Sequence, residues 1–116
     1  MSVAYRPLEA GQVLFEEGDP GSEMYVISSG TIRIAKRIDG QADRVLADLS
    51  SGEFFGEMAI LNDEPRTATA TALEASLVMV YDKSTFEELL YSNPNIAVRM
   101  VYKMAERLRR ADEMVR

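Results

Sequence analysis

The sequence predicts a mainly β domain, a β-roll or jelly-roll barrel with short helices and a long C-terminal amphipathic helix. Three observations predict it. Short apolar runs separated by glycine-bearing turns fill the first four-fifths of the chain, with no helical period between them. After Tyr81 the spacing of apolar residues changes from about two to between three and four. The 116 residues suit one domain, with 1–82 as the roll and 83–116 as its C-terminal helices.

The elements follow in order. Val13 to Glu17 reads as a strand stopped by Gly18-Asp19-Pro20-Gly21, a dense run of turn formers. Met24 to Ser28 and Thr31 to Arg37 flank Ser29-Gly30 and make a hairpin or a tight corner; Ile32, Ile34 and Ile38 give the second run a half-buried period. Asp39-Gly40 is the strongest hairpin signal, with Arg44 to Leu49 as the return strand. Thr67, Thr69 and Thr71 alternate with Ala68, Ala70 and Ala72, a strand with one small face of the kind found where a backbone or a ligand comes close. Ser76 to Tyr81 is an apolar strand. Ser84-Thr85-Phe86-Glu87 has the pattern of a capping box opening a short helix through Leu89-Leu90-Tyr91. Asn93-Pro94 ends that helix and starts another, because proline suits a first helical turn. From there Ile96, Met100, Met104, Leu108, Ala111 and Val115 recur at three or four, one apolar face on a helix of about 22 residues and about 33 Å. Its first half suits packing on its own domain, and its outer half suits a second copy.

Composition removes whole classes of chemistry. The chain has no Cys and no His, so thiolate nucleophiles, imidazole bases and the common zinc and haem ligand sets are absent. Asp63-Glu64 reads as turn residues rather than an acid–base pair. The chain is expected to work by binding, not as an enzyme. A net charge of −6 opposes a nucleic-acid surface. From Lys103 onward five basic side chains face three acidic ones, a small basic end on an acidic body. No apolar stretch reaches membrane-spanning length, and the first residues lack a signal core, which makes a cytoplasmic protein without membrane contact the expectation.

The segment Gly52 to Ala72 carries the chemistry. Gly56 permits close backbone approach, and Glu57-Met58-Ala59-Ile60-Leu61 can open a helical turn whose first N–H groups favour an anion. Arg66, after the turn Asn62-Asp63-Glu64-Pro65, can hold a phosphate through two parallel bonds. Glu57 beside such a site makes sense if it accepts bonds from sugar hydroxyls on the same ligand. Thr67 adds a hydroxyl next to the arginine. Phosphate and sugar side by side describe a nucleotide. Against this stand a plain Arg66–Glu57 ion pair across the loop and glycines that serve only turns.

Gly18-Asp19, the corner Tyr25-Val26-Ile27-Ser28-Ser29-Gly30, the run Gly52-Glu53-Phe54-Phe55-Gly56-Glu57 and the run Pro65-Arg66-Thr67-Ala68-Thr69 together resemble the cyclic nucleotide-binding domain. The resemblance covers about Leu8 to Leu108. It implies that Glu57 accepts the ribose 2′-hydroxyl, that Arg66 neutralises the cyclic phosphate and that Gly56, Met58 and Ala59 form the helix start of the phosphate cassette. Thr67 matches a position held by Ser, Thr or Ala in different branches and does not choose the base. Leu46 matches an apolar wall near the base. The implied ligand is cAMP or cGMP, with no further cofactor.

The last helix resembles the dimer helix of bacterial catabolite-activator-type regulators, aligned on Asn93-Pro94 and Met104-Ala105-Glu106-Arg107-Leu108. Where those proteins place a Thr-Ser pair against adenine, this chain has Ala111-Asp112, a departure that touches adenine specificity. The expected partners are a second copy through this helix or an effector protein, with no direct DNA binding; the chain is either a sensor acting through a partner or a piece of a longer protein. The alternative is a non-sensing dimerisation module of the same fold with an empty or repurposed pocket.

Overall fold

The computed structural model describes the backbone of residues 4–115 and the side chains of residues 4–110. Eight strands among them form two four-stranded antiparallel sheets. The first holds β1 (Ala4–Leu8), β8 (Ser76–Asp82), β3 (Glu23–Ser29) and β6 (Phe54–Phe55), in that order. The second holds β2 (Val13–Phe15), β7 (Thr69–Ala72), β4 (Ile32–Lys36) and β5 (Arg44–Leu49). Three helices complete the described residues: α1 (Met58–Leu61), α2 (Lys83–Ser92) and α3 (Pro94–Val115). The mainly β roll with short helices and a long final helix is the observed fold.

Inward residues of both sheets make one core. Leu8, Tyr25, Ile27, Phe55 and Val78 from the first sheet pack with Ile32, Leu49, Ala70 and Ala72 from the second. The alternating Thr-Ala strand turns its small face to the core: Ala70 and Ala72 are fully buried, while Thr69 and Thr71 are half-buried on the other face.

Ser29-Gly30 is a corner and not a hairpin, since β3 and β4 lie in different sheets. Gly30 adopts φ +96°, and a Cβ there would fall on the Ser76 side chain. The hydroxyl of Ser76 accepts the Thr31 N–H at 3.2 Å and donates to the Glu74 carbonyl at 2.8 Å, which satisfies the turned backbone. β4 and β5 do pair antiparallel around Gly40, with an irregularity between Ile34 and Ala35 that leaves Leu46 as the extra residue of a bulge.

Two expected strands are shorter than their apolar patterns. Val13 to Glu17 stops at Phe15 because Glu16 turns: its N–H donates to the Asp19 carboxylate at 3.0 Å and its carbonyl accepts the Asp19 N–H at 3.0 Å. The strand expected from Thr67 begins at Thr69, because the Arg66 backbone is taken by the first loop. Its N–H donates to the Asp19 carbonyl at 2.8 Å and its carbonyl accepts the Gly18 N–H at 2.7 Å.

The chain divides into two compact units, residues 1–83 and 84–116. α2 begins at Lys83, so Ser84 stands inside the first turn and not ahead of it. α3 begins at Pro94 and runs 22 residues. Its expected apolar face divides: Met100 is buried and Ile96 and Met104 are half-buried, but Leu108 is 73% exposed. The Ala111-Asp112 reading lies outside the described side chains. Among the described residues no helix is long and apolar enough to cross a membrane, and no cluster of His, Cys, Asp or Glu could hold a metal ion.

Candidate functional site

The site is built where the end of the first sheet meets the start of β7. Phe54 and Phe55, buried in β6, deliver the chain to Gly56, which turns at φ +81°. A Cβ at Gly56 would sit 2.9 Å from Arg66 Nη1 and 3.4 Å from the Glu23 carbonyl, so both conformation and space require glycine. Glu57 follows in a right-handed conformation as the residue before α1, and its carbonyl accepts the Ile60 and Leu61 N–H groups at 3.0 and 2.9 Å. Met58 and Ala59 open α1, Met58 half-buried and Ala59 buried.

Arg66 is the unusual residue. It is 7% exposed, an extreme value for a cation. Its Nη1 donates to the main-chain carbonyls of Glu23 at 2.8 Å and Gly56 at 3.2 Å. Its guanidinium lies over the Phe15 ring, 4.2 Å from the centroid, and 5.6 Å from the Tyr25 centroid. Those rings are fixed by the aromatic cluster Phe15–Tyr25–Phe55, with centroids 5.2 to 6.0 Å apart. Gly21 leaves the room for the guanidinium: a Cβ there would fall on Nε and Cζ, with Nη2 at 2.6 Å. Among the described residues, Arg66 Nε is the one buried side-chain polar atom without a hydrogen-bond partner. A buried cation held by neutral carbonyls and aromatic faces, with a donor left over, favours an anion strongly.

Of the expected residues, the structure brings Arg66 directly onto Gly56, which heads the segment Glu57-Met58-Ala59. Thr67 follows Arg66 and is exposed. Leu46 stands on edge strand β5, at the bulge, 39% exposed. Sequence reasoning read Gly21 only as a turn residue and gave Phe15, Glu23 and Tyr25 no part in the site. Gly21 is absent from the glycines with positive φ, so its role is space and not conformation. Pattern alone carries no signal for that.

A polar group borders this cluster. The Tyr25 hydroxyl donates to Glu23 Oε1 at 3.0 Å, and Arg6 reaches both, 3.4 Å from the hydroxyl and 3.4 Å from Oε1. Burial, reinforced by the bond to Glu23, raises the Tyr25 pKa above its ordinary value.

Among the described residues, an eight-stranded roll presents a buried, aromatic-backed arginine beside a glycine turn and a short helix, which defines a class of β-roll modules. The chain belongs to the cyclic nucleotide-binding domain family, which it matches over residues 5–93. It is 34% identical over 102 residues, 88% of its own length and 47% of the relative's, to the cyclic AMP receptor protein of Thermus thermophilus. It is 44% identical over 80 residues, 69% of its length and 17% of the relative's, to the cAMP-dependent protein kinase regulatory subunit of Debaryomyces hansenii. Its fold is similar to the crystal structure of the Thermus thermophilus catabolite activator protein, with a TM-score of 0.86 and 32% identity over 97% of this chain and 53% of that one. The chain thus spans about half, or less, of the length of these relatives.

Proposed function

We propose that the 116 residues act as one module that binds cAMP or cGMP and couples occupancy to a rearrangement of its C-terminal helix, and so to a partner or fused effector. The observation that carries this reading is the buried, unpartnered Nε of Arg66 beside Gly56. Arg66 takes the cyclic phosphate, with the Met58 and Ala59 N–H groups as further donors. Glu57 accepts a ribose hydroxyl, the Thr67 hydroxyl lies next to the arginine for phosphate or base, and Leu46 supplies an apolar wall for the base. The two relatives named for cAMP support a cyclic nucleotide of that type. The chain works by binding and not by catalysis. Its net charge of −6 argues against DNA contact by these residues themselves.

The coupling needs a responsive partner surface, and α3 offers one. Val98, Val101, Ala105 and Leu108 are all exposed and spaced three, four and three apart, the seam of a two-helix coil. A second copy paired along this seam is the proposed partner. The same seam favours the alternative, a dimerisation module indifferent to nucleotide, and ligand binding separates the two.

Calorimetric titration tests the reading. Folded protein is expected to bind cAMP or cGMP saturably. Because bonds to charged groups contribute about 1.5–3 kcal/mol each, Arg66→Ala is expected to weaken binding at least about 100-fold. No uptake of either nucleotide by protein that unfolds cooperatively would refute it.

A further inference from the structure

The two arginines of the site region meet the same residue through different groups. Glu23 gives its main-chain carbonyl to Arg66 Nη1 at 2.8 Å, and its carboxylate to Arg6 at 3.4 Å and to the Tyr25 hydroxyl at 3.0 Å. A carboxylate anchored one residue's backbone away from a buried cation with a spare N–H has an obvious competing partner, Arg66 itself. That pairing would place an internal anion where a ligand phosphate belongs.

We infer that Arg6 is a positioning residue: by holding the Glu23 carboxylate it keeps that carboxylate off Arg66, and so leaves the Arg66 guanidinium for an anionic ligand. The inference rests on the reading of Arg66 as the phosphate anchor. The fold places Arg6 for this task. On edge strand β1 it pairs with Val78 of β8, which pairs with Ile27 of β3. Arg6 therefore shares the inward face of Leu8, Val78 and Tyr25 and reaches across β8 to Glu23. Tyr25 neighbours both cations, with Arg6 5.7 Å and Arg66 5.6 Å from its ring centroid. Its hydroxyl shares the carboxylate with Arg6, so two donors hold the Glu23 carboxylate. The Arg6–Glu23 pair is 42% and 35% exposed at its side chains, and pairs so open to water add little to folding. Its effect is on which cation the carboxylate chooses.

The test is a rescue experiment. Arg6→Ala is expected to weaken cAMP binding about fivefold, by freeing Glu23 to pair with Arg66. Arg6→Ala combined with Glu23→Gln is expected to restore affinity to within about twofold of the parent, because the amide carries no charge to offer Arg66 while the main-chain carbonyl that holds Nη1 is kept. A merely structural role for Arg6 predicts no such recovery. Unchanged affinity in Arg6→Ala, or a loss that the double substitution leaves in place, overturns the inference. A crystal structure of nucleotide-free Arg6→Ala decides it separately: the Glu23 carboxylate is expected on the Arg66 guanidinium, and its retention on Tyr25 alone is the contrary result. Should the parent protein take up no cyclic nucleotide, the proposed function fails, while the position of Glu23 in that structure still answers the question about Arg6.

Discussion

Arg66 and Gly21 are in direct apposition: the guanidinium fills the volume that any side chain at residue 21 would need. The cation thus packs on a bare backbone and on the Phe15 ring, with Nη1 drawn to two carbonyls. Gly21→Ala is expected to displace the guanidinium. Overpacking of this kind costs about 1–3 kcal/mol, to be read as a lower urea midpoint with an unchanged slope. Nucleotide affinity is expected to fall as well, since the donor is moved. An alanine variant with parental stability and affinity would show that the site has slack.

The phenol of Tyr25 sets an alkaline limit. Its folded pKa is raised above 10.0 by burial, then by the bond to Glu23. The folded state therefore holds this proton more tightly than the unfolded chain. The resulting stabilisation is whole below about pH 10 and is lost as pH rises through the folded value. Tyr81, raised mainly by burial, acts with the same sign. Urea midpoints measured between about pH 8 and pH 11 are expected to fall in the parent protein and to fall less steeply in Tyr25→Phe. Equal slopes would place the alkaline loss elsewhere.

The exposed seam of α3 predicts self-association. Val101 and Leu108 are 65% and 73% exposed, more than an unpaired helix in water favours. Sedimentation equilibrium is expected to show a concentration-dependent dimer, and Val101→Glu with Leu108→Glu to yield a monomer of undiminished helical content. A parent protein that stays monomeric at high concentration would remove the seam from the account.

Much of this architecture was legible in local pattern. The Arg44–Leu49 return strand and the Pro94 helix start have the expected place and type, and the alternating Thr-Ala strand has the expected type over a shorter span. What pattern missed has physical reasons. β1 contains Pro7, which reads as a strand breaker; β1 is an edge strand, where a residue without an N–H is tolerated. β6 has two residues, too few to show a period. Of the site, the Gly56–Glu57 and Arg66 cassette stood out, because its residues are close in sequence. The surroundings that make Arg66 unusual come from residues 15, 21, 23 and 25, more than forty positions away. Long-range packing brings them together, and no local spacing announces it.

The central claim is that the spare N–H of Arg66 receives a cyclic phosphate, and nitrogen–proton NMR of that Nε–H reads it directly. On titration with cAMP or cGMP the account predicts that this resonance shifts markedly and that its proton exchanges more slowly with water. Saturable nucleotide binding that leaves the Arg66 Nε–H signal and its exchange rate unchanged would contradict it.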